Sequence, residues 1–325
     1  MVASTATTDP AVGGHHPADR SGSGAAPPFH PDDGPVVLAI DIGGTKVAAA
    51  LVDGHGSVGE RASLATPDSD DADVVFDAVA AVVEAVRTGS TPSLCGVGCG
   101  GPMTAGGEAV SPLNIPAWRG FPLRRRIGDL VGLPVSVDND AKALALGEGW
   151  RGAARGVPDY LGMVVSTGVG GGIVLDGRLL GGADGNAGHI GHVVVEPDGR
   201  SCACGGRGCL EAEASGLSIE AMTGRPAAEA DDTVRRRTGT MVGRAVASVA
   251  NLLDLQLAVV AGSVALGFGE PFFAAAQDEI DARARLEFAR GTRIVPAGLG
   301  GAGPLVGAAA VARRAFVPDR RGVTG

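Results

Sequence analysis

The sequence has few aromatic residues, few cysteines and no long apolar segment, and each of these absences excludes a class of protein. Only 3% of the 325 residues are aromatic, and the five cysteines are an odd number that does not suit a secreted disulfide framework. Every long apolar stretch contains breakers, so we expect no membrane span. The net charge of −9 provides no basic face, so we expect no nucleic acid partner. These features together favour a cytoplasmic protein.

Glycine, in contrast, is abundant, with 54 residues, and hydrophobic residues make up 45% of the chain. So many glycines predict many tight turns and many places where the backbone approaches a partner closely. The length suffices for two domains of ordinary size. Residues 1–34 are rich in Pro, Gly, Ser, His and Asp, and they lack both hydrophobic periodicity and the apolar core of a signal peptide. We predict that this stretch is a disordered tail.

A strand, a glycine-rich turn and a second strand occur twice along the chain, over residues 36–52 and 160–180. The turn dipeptides Asp53-Gly54 and Asp176-Gly177 follow the second strand of each unit. A unit that repeats in this way predicts a duplicated architecture of two lobes. The remaining pattern predicts strands over 95–99, 134–137 and 257–261, helices near 75–86, 121–131, 140–150, 217–253 and 304–316, and a glycine-rich bend over 167–172.

Two glycine-rich bends are candidates for binding phosphate. The first has the sequence DIGGTK over residues 41–46, and the second has STGVGGG over 166–172. Consecutive glycines let backbone N–H groups converge on an anion without obstruction by Cβ atoms. The hydroxyl of Thr45 can donate to a phosphate oxygen, and Asp41 can hold a water bound to Mg²⁺. Either bend alone could be an ordinary turn, but two bends that face one another would hold a polyphosphate from both sides. The spacing of a P-loop is missing.

Asn139 and Asp140 follow the predicted strand over 134–137, at the point where a helix begins. An isolated Asp at such a junction is usually an N-cap residue. The functional alternative is a general base that accepts the proton of an attacking hydroxyl, because phosphoryl transfer needs an acceptor oxygen held in line with a base nearby. The residue types alone leave both interpretations open.

Three cysteines follow two histidines within a short part of the sequence. The sequence GHIGH over residues 188–192 precedes Cys202, Cys204 and Cys209. Three thiolates and one imidazole suit tetrahedral Zn²⁺, and four protein ligands would close its coordination shell, so the predicted metal is structural. The alternatives are free thiols or a disulfide, although a bridge between Cys202 and Cys204 would be strained. The residue types do not decide whether His189 or His192 binds the metal.

Three further residues are candidates for a substrate site. Glu211 lies two residues after Cys209, so a backbone braced by a metal would hold its carboxylate rigidly beside the hydroxyls of a sugar. Asn114 lies in a loop braced by prolines. Trp118 is either a stacking platform for a sugar or an anchor of its own loop.

Together these motifs resemble the ROK family of sugar kinases and repressors, over residues from about 36 to 311. The most specific likeness is the zinc motif, in which intervals of ten, two and five residues separate His192, Cys202, Cys204 and Cys209. The resemblance implies that His192 is the histidine ligand and that Asp140 is the catalytic base. It also implies sugar contacts from Asn139, His189, His192, Glu211, Gly101 and Asn114, and ATP contacts from Asp41, Gly43, Gly44, Thr45, Lys46, Thr167, Gly168, Gly170, Gly262 and Ser263.

The fold that the resemblance implies is α/β, with two actin-like (ribonuclease H-like) lobes around a central cleft and a structural zinc motif. The N-terminal lobe is expected to comprise residues 35–138 and about 304–325, and the C-terminal lobe residues 139–303. The resemblance also implies ATP, Mg²⁺ and structural Zn²⁺ as cofactors, a small-molecule sugar as substrate, and a homodimer or homotetramer. Closure of the lobes on the substrate would exclude water.

Departures from the family pattern bear on the substrate. Glucokinase-type members usually have Glu at the position of His189, and the form GHIGH resembles N-acetylmannosamine kinases. A neutral imidazole can donate or accept one hydrogen bond, whereas a carboxylate only accepts, so we expect a different preference among sugar hydroxyls. Residues 300–303 lack an acidic residue that many members have. Residues 1–34 are too short and too rich in Gly and Pro for the helix-turn-helix of the repressor branch.

The leading hypothesis is an ATP-dependent kinase that transfers the γ-phosphoryl group to a hydroxyl of a sugar, expected to be O6. The expected substrate is a hexose or N-acylhexosamine, such as glucose or N-acetylmannosamine, or a related cyclitol. A second hypothesis is a non-catalytic sugar-binding regulator, but Asp140 and both phosphate bends count against it. A third is a zinc-dependent hydrolase, which a closed shell of four protein ligands opposes because no position remains for water.

Overall fold

The computed structural model describes residues 34–87 and 91–317. Apart from Gly34, the predicted tail lies outside the described residues, as do the last eight positions of the predicted N-terminal lobe. The strands are β1 (Val37–Ile42), β2 (Lys46–Val52), β3 (Val58–Ala65), β4 (Leu94–Cys99), β5 (Val135–Asn139), β6 (Tyr160–Val165), β7 (Val169–Leu175), β8 (Arg178–Leu179), β9 (Leu257–Ala261) and β10 (Arg293–Pro296). The helices are α1 (Ala72–Val86), α2 (Leu123–Val131), α3 (Asp140–Arg151), α4 (Leu210–Ala214), α5 (Gly216–Thr223), α6 (Asp232–Leu253), α7 (Ser263–Phe268), α8 (Glu270–Arg283) and α9 (Gly303–Phe316).

The strands form two sheets with the same topology. The first sheet has the order β3-β2-β1-β4-β5, and the second has the corresponding order β8-β7-β6-β9-β10. In each sheet the first three strands along the chain pair antiparallel, and the last two add in parallel. The repeat of strand, turn and strand in the sequence therefore corresponds to a repeat of the whole sheet.

The sequence pattern predicts most of these elements because their buried faces are apolar. Along α1, for example, Val75, Val79 and Val82 are buried, as the helical spacing requires. The pattern does not predict β3, whose sequence VGERASLA is polar and largely exposed. This strand lies at the edge of the first sheet, where no apolar face is needed.

The predicted bend over residues 167–172 is wrong in extent. The turn is confined to residues 166–168, and Gly170, Gly171 and Gly172 lie inside β7. A Cβ on Gly172 would lie 2.8 Å from Cα of Lys142, and one on Gly170 would lie 2.9 Å from Cβ of Ala141. The glycines of β7 thus allow α3 to pack directly on the strand.

Helices α3 and α9 cross where the two sheets meet. A Cβ on Gly147 of α3 would lie 2.9 Å from the backbone N of Gly307 in α9, so only small residues allow this close crossing. Leu305 and Ala308 of α9 pack on the first sheet in one apolar cluster. The buried carboxylate of Glu148 accepts hydrogen bonds of 3.0 Å from the backbone N–H groups of Gly298 and Leu299, which attaches α3 to the chain that enters α9.

Helix α3 contacts both sheets, and α9 returns to the first sheet. The division into lobes near residues 138/139 and 303/304 stays a prediction. Within the part of the chain that the structure describes, no helix is both long enough and apolar enough to cross a membrane.

Candidate active site

The parallel strands β1, β4 and β5 end at one edge of the first sheet and bring two carboxylates together. In the sheet register Asp41 pairs with Gly98, and Gly98 pairs with Asp138. Two residues further along, α3 begins at Asp140. Side chains at the carboxyl ends of neighbouring parallel strands share one crevice, so Asp41 and Asp140 are neighbours although almost one hundred positions separate them in the sequence.

Gly98 lies beside the carboxylate of Asp41 and the backbone of Asp140. A Cβ on Gly98 would lie 3.7 Å from both Cα of Asp140 and Oδ1 of Asp41. Burial and then the charge of Asp140 raise the pKa of Asp41 to about 7, while Lys46 opposes the shift. Burial also raises the pKa of Asp140, against a hydrogen bond of 2.8 Å from the N–H of Ala141 to its Oδ1. Asp140 as a whole is exposed, and the protein that surrounds its carboxylate is the main cause of the raised pKa.

The position of Gly98 supplies a test of this arrangement. We expect Gly98→Ala to fold normally, because its methyl group would have no heavy-atom neighbour closer than 3.5 Å. The methyl group would lie beside Asp41 and Asp140, and a misplacement of about 1 Å in an active site can lower the rate about 100-fold. Steady-state kinetics on a variant with an unchanged melting temperature would check this. Wild-type kcat would show that the reacting groups do not lie beside Gly98.

Asn139, and not Asp140, caps helix α3. Oδ1 of Asn139 accepts hydrogen bonds from the N–H groups of Ala141 at 3.0 Å and Lys142 at 3.3 Å, so the capping interpretation of Asp140 is corrected. The Nδ2 atom of Asn139 lies 3.4 Å from the position of a Cβ on Gly101. With its oxygen used by the helix, the amide presents its N–H groups toward the loop that contains Gly101.

The first predicted phosphate bend joins β1 to β2 and is exposed at Gly44, Thr45 and Lys46. The N–H of Gly43 donates to the carbonyl oxygen of Lys46 at 2.9 Å, which closes the turn. A Cβ on Gly44 would lie 2.4 Å from Cβ of Asn114. The bend and the loop of Asn114 are therefore in contact, and any larger residue at position 44 would push them apart.

Trp118 anchors its loop and does not offer a stacking surface. The ring is completely buried. Its Nε1–H donates to the carbonyl oxygen of Ala72 at 3.1 Å, and the ring stacks on Phe121 with a centroid distance of 4.4 Å. Of the two roles that the sequence left open for Trp118, the structure supports the anchor.

The second bend, at residues 166–168, lies beside the segment that begins α7. The hydroxyl oxygens of Ser166 and Ser263 are 2.9 Å apart. Gly262 has φ +101°, and a Cβ there would lie 2.2 Å from the carbonyl oxygen of Val165, so this position requires glycine. The structure thus brings together Thr167, Gly168, Gly262 and Ser263, whereas Gly170 packs against α3.

The four predicted zinc ligands form a cluster. One ligand atom from each of His192, Cys202, Cys204 and Cys209 lies within 4.8 Å of the others. The Sγ atoms of Cys204 and Cys209 are 3.7 Å apart, and Sγ of Cys202 is 3.8 Å from Nδ1 of His192. Tetrahedral Zn²⁺ with Zn–S bonds of about 2.3 Å would separate two sulfur atoms by about 3.8 Å, so the donor set and its spacing fit this metal. A hydrogen bond from the N–H of Gly206 lowers the pKa of Cys204, which favours the thiolate.

Glu211 connects this cluster to the second bend. Its Oε2 accepts a hydrogen bond of 2.5 Å from the N–H of Val169, and its Oε1 lies 3.0 Å from the position of a Cβ on Gly168. Burial raises its pKa, and the Val169 N–H and nearby His192 lower it. The side chain is half-buried, so its carboxylate retains lone pairs for a bound molecule.

His189 lies at the end of the loop that follows β8, close to Asp140. Its ring centroid is 6.2 Å from that of His192. Burial, then the neighbouring His192 and Lys142, lower the pKa of His189, while Asp140 opposes the shift. The imidazole is therefore held in its neutral form at pH 7, in which one nitrogen donates and the other accepts.

Sequence reasoning did not identify Lys142, which is buried and lies 3.0 Å from Asp138. Asp138 lies in β5 and Lys142 in α3, so the i, i+4 rule for residues of one helix does not apply, and no local spacing predicts the pair.

Comparisons with known proteins identify the family to which this chain belongs. The family profile described as "ROK family" matches residues 37–315. The chain belongs to the ROK family. N-acetylmannosamine kinase from Citrobacter koseri is 40% identical over 248 residues, which cover 71% of this chain and 84% of that protein. A ROK family glucokinase from Streptomyces griseus, solved in complex with glucose and AMPPNP, is 32% identical with a TM-score of 0.76 and covers 86% of this chain and 99% of its own.

A ROK family transcriptional regulator, described as a homologue of the Escherichia coli MLC protein, is 25% identical with a TM-score of 0.72. The two chains are covered to 85% and 77%. The comparisons confirm the predicted family, the α/β fold with two actin-like halves and the enzyme class, which is that of ATP-dependent sugar kinases. The assignment of single residues to catalysis and binding stays a prediction.

Proposed function

We propose that this ROK protein transfers the γ-phosphoryl group of ATP to O6 of an N-acylhexosamine of the N-acetylmannosamine type, with Asp140 as the general base. The observation that carries the proposal is the position of Asp140. It begins α3 at the carboxyl edge of the first sheet, is exposed to solvent and lies close to Asp41. Phosphoryl transfer needs little from a protein beyond an aligned acceptor hydroxyl, a base and charge stabilisation.

The raised pKa of Asp140 supports its role as a base. A carboxylate with a pKa above its usual value binds a proton more strongly, which makes it more effective at accepting the proton of an attacking hydroxyl. Asn139 supports the same role, because its cap holds the start of α3 through the N–H groups of Ala141 and Lys142. Its amide N–H groups can donate to a sugar oxygen in the same crevice.

The two bends would hold ATP between the halves of the molecule. Gly44, Thr45 and Lys46 are exposed on the first bend, whose turn Gly43 closes, and Thr167, Gly168, Gly262 and Ser263 would contact the nucleotide from the second bend. A divalent cation fits beside Asp41, because two crowded carboxylates repel each other and a cation offsets that repulsion. Bound Mg²⁺ would neutralise charge on the phosphates, and Asp41 would hold it through water.

The sugar site would comprise His189, His192, Glu211, Asn114 and Gly101. His192 uses Nδ1 toward Cys202, which leaves Nε2 for a sugar oxygen. The zinc cluster would bind structural Zn²⁺, whose chemistry here is to brace the backbone that carries His192 and Glu211. Four protein donors leave no position for an activated water, so a zinc-dependent hydrolase is not proposed.

The choice of an N-acylhexosamine rests on His189 together with the N-acetylmannosamine kinase relative. The glucokinase neighbour acts on glucose by its own description, and the glucokinase-type pattern has Glu where this chain has His189. A neutral imidazole can donate to a carbonyl or hydroxyl oxygen, which a carboxylate cannot. Glucose or a cyclitol therefore ranks below an N-acylhexosamine.

The likeness to a transcriptional regulator keeps a second candidate, a sugar-binding regulator without catalysis. The proximity of Asp41 and Asp140 favours the kinase, because binding a sugar alone does not need two crowded carboxylates. Sugar binding without release of ADP from ATP would favour the regulator. We also propose a cytoplasmic homodimer or homotetramer, for which light scattering of the purified chain is the test.

A coupled assay of ADP release on a sugar panel tests the proposed substrate. With N-acetylmannosamine, N-acetylglucosamine, mannose, glucose, fructose and a cyclitol, we expect the highest kcat/KM for N-acetylmannosamine. His189→Glu should shift the ratio of kcat/KM toward glucose by about tenfold, the factor that one hydrogen bond of about 1.4 kcal/mol supplies. His55→Glu, on the turn after β2, is a control that should leave the ratio unchanged. An unchanged ratio in His189→Glu would remove His189 from the sugar site.

A further inference from the structure

Lys142 is a buried charged residue that the proposed chemistry does not use. It lies in the first turn of α3, two residues after Asp140, and only 4% of its surface is exposed. A buried ammonium group is unfavourable unless its protons have partners. Its Nζ lies 3.0 Å from Oδ1 of Asp138 and donates a hydrogen bond of 2.7 Å to the carbonyl oxygen of Gly185. These two contacts restrain the position of the charge.

Asp138, the ion-pair partner of Lys142, is itself held in place. It is part of β5, paired in the sheet with Gly98 of β4. Its second oxygen, Oδ2, lies 3.6 Å from Nη1 of Arg314 in α9. Asp138 is thus held by the sheet and by cations from two helices, so the direction in which Lys142 donates is restricted.

Gly185 belongs to the loop between β8 and His189, and this loop has two further restraints. Nδ2 of Asn186 donates to the carbonyl oxygen of Met103 at 3.2 Å, which joins the loop to the segment after β4. Gly188 has φ +103°, and a Cβ there would lie 2.6 Å from the carbonyl oxygen of Gly171 in β7. The backbone path from Gly185 to His189 is therefore short and confined, so a movement of Gly185 would reach the imidazole.

We propose that Lys142 is a positioning residue for the sugar site, and that its hydrogen bond to the carbonyl oxygen of Gly185 orients the loop that presents His189. This inference rests on the proposed role of His189 as a sugar contact. Neither Asp138 nor Gly185 lies in the two phosphate bends. Loss of the hydrogen bond should therefore weaken the binding of the sugar and leave the binding of ATP unchanged. The ligand class concerned is the same hexose or N-acylhexosamine.

The test is Lys142→Met, which keeps most of the apolar part of the side chain and removes its charge and donors. We expect the sugar KM to rise about tenfold while kcat changes less than about twofold and the KM of ATP stays constant, because uniform binding of the sugar is lost. In a His189→Ala background the same substitution should not raise the sugar KM further, since contacts that act through one residue are not additive.

Several results would overturn the inference. One is a sugar KM in Lys142→Met equal to that of wild type. Another is an equal increase in the sugar KM in the wild-type and His189→Ala backgrounds, because it would show that Lys142 does not act through His189. A parallel increase in the KM of ATP would indicate a general structural role. If Lys142→Met does not yield folded protein, Lys142→Gln carries the same expectations, since a glutamine keeps a donor near Asp138 but is too short for Gly185.

The same experiment separates this inference from the proposed function. A wild-type protein that releases no ADP with any sugar of the panel would refute the kinase proposal, and the inference with it. An active wild type whose sugar KM does not respond to Lys142→Met would refute only the role of Lys142.

Discussion

Asp140→Asn should lower kcat on the preferred sugar by about 10²- to 10⁴-fold, the usual contribution of a general base. The amide of the variant cannot accept the proton of the attacking hydroxyl, but it is nearly the same size as the carboxylate. The fold should persist because Asn139, not Asp140, provides the side-chain cap of α3. Removal of a charge next to Asp41 also relieves repulsion, so we expect no fall in the melting temperature. Steady-state kinetics, zinc analysis and thermal unfolding measure the three quantities.

Asp129→Asn is a matched control for this experiment. Asp129 is an exposed residue of α2, and its replacement removes one negative charge without touching the crevice. We expect wild-type kcat for this variant. An Asp140→Asn protein with kcat near that of wild type would contradict the assignment of the base, whereas a large loss of zinc or of stability would show that Asp140 has a structural role.

Cys209→Ser should reduce the zinc content from about one ion per chain to near zero, because a closed site of four ligands loses one of its thiolates. Cys209 is buried and directly precedes α4, whose second residue is Glu211. Loss of the metal would therefore release Glu211 and His192, and we expect kcat/KM for the sugar to fall about 10- to 100-fold, as for the loss of residues that orient a metal site. The melting temperature should fall by about 2–4 °C for each kcal/mol of stability lost.

Cys95→Ala is the matched control for the zinc experiment. Cys95 is buried in β4 and is not one of the residues that form the His/Cys cluster, so its loss removes a thiol without removing a candidate ligand. We expect this variant to keep about one zinc ion per chain and to show only the modest loss of stability of a small cavity. Full zinc content in Cys209→Ser would show that the ligand set is wrong. Loss of zinc with an unchanged sugar KM would instead show that the metal does not brace the sugar site.

The zinc cluster and the two bends illustrate which parts of the site can be predicted from sequence. The four metal ligands lie between positions 192 and 209, and over so few residues the spacing itself limits the geometry. The turn at residues 43–46 is similarly local. The extent of the second bend was not predictable, because glycines 170–172 of β7 are explained by the close packing of α3, which adjacent residues do not reveal.

Trp118 and Asn139 show the same limit at single positions. An aromatic residue near a presumed sugar loop has two plausible roles, and only the contacts with Ala72 and Phe121 decide between them. Asn139 and Asp140 are both suitable caps by residue type. The hydrogen bonds of the helix N-terminus assign the cap to Asn139 and not to Asp140.

The sequence by itself determined the ROK family, the duplicated order of strands and the donor set for the metal, because these depend on residue types at short, regular intervals. Only the tertiary structure decided that Asp41 and Asp140 lie close together beside Gly98 and that Lys142 reaches Gly185. Those contacts join segments far apart in the chain. Their geometry depends on the parallel pairing of β1, β4 and β5 and on the packing of α3 between the two sheets, which no local pattern of residues specifies.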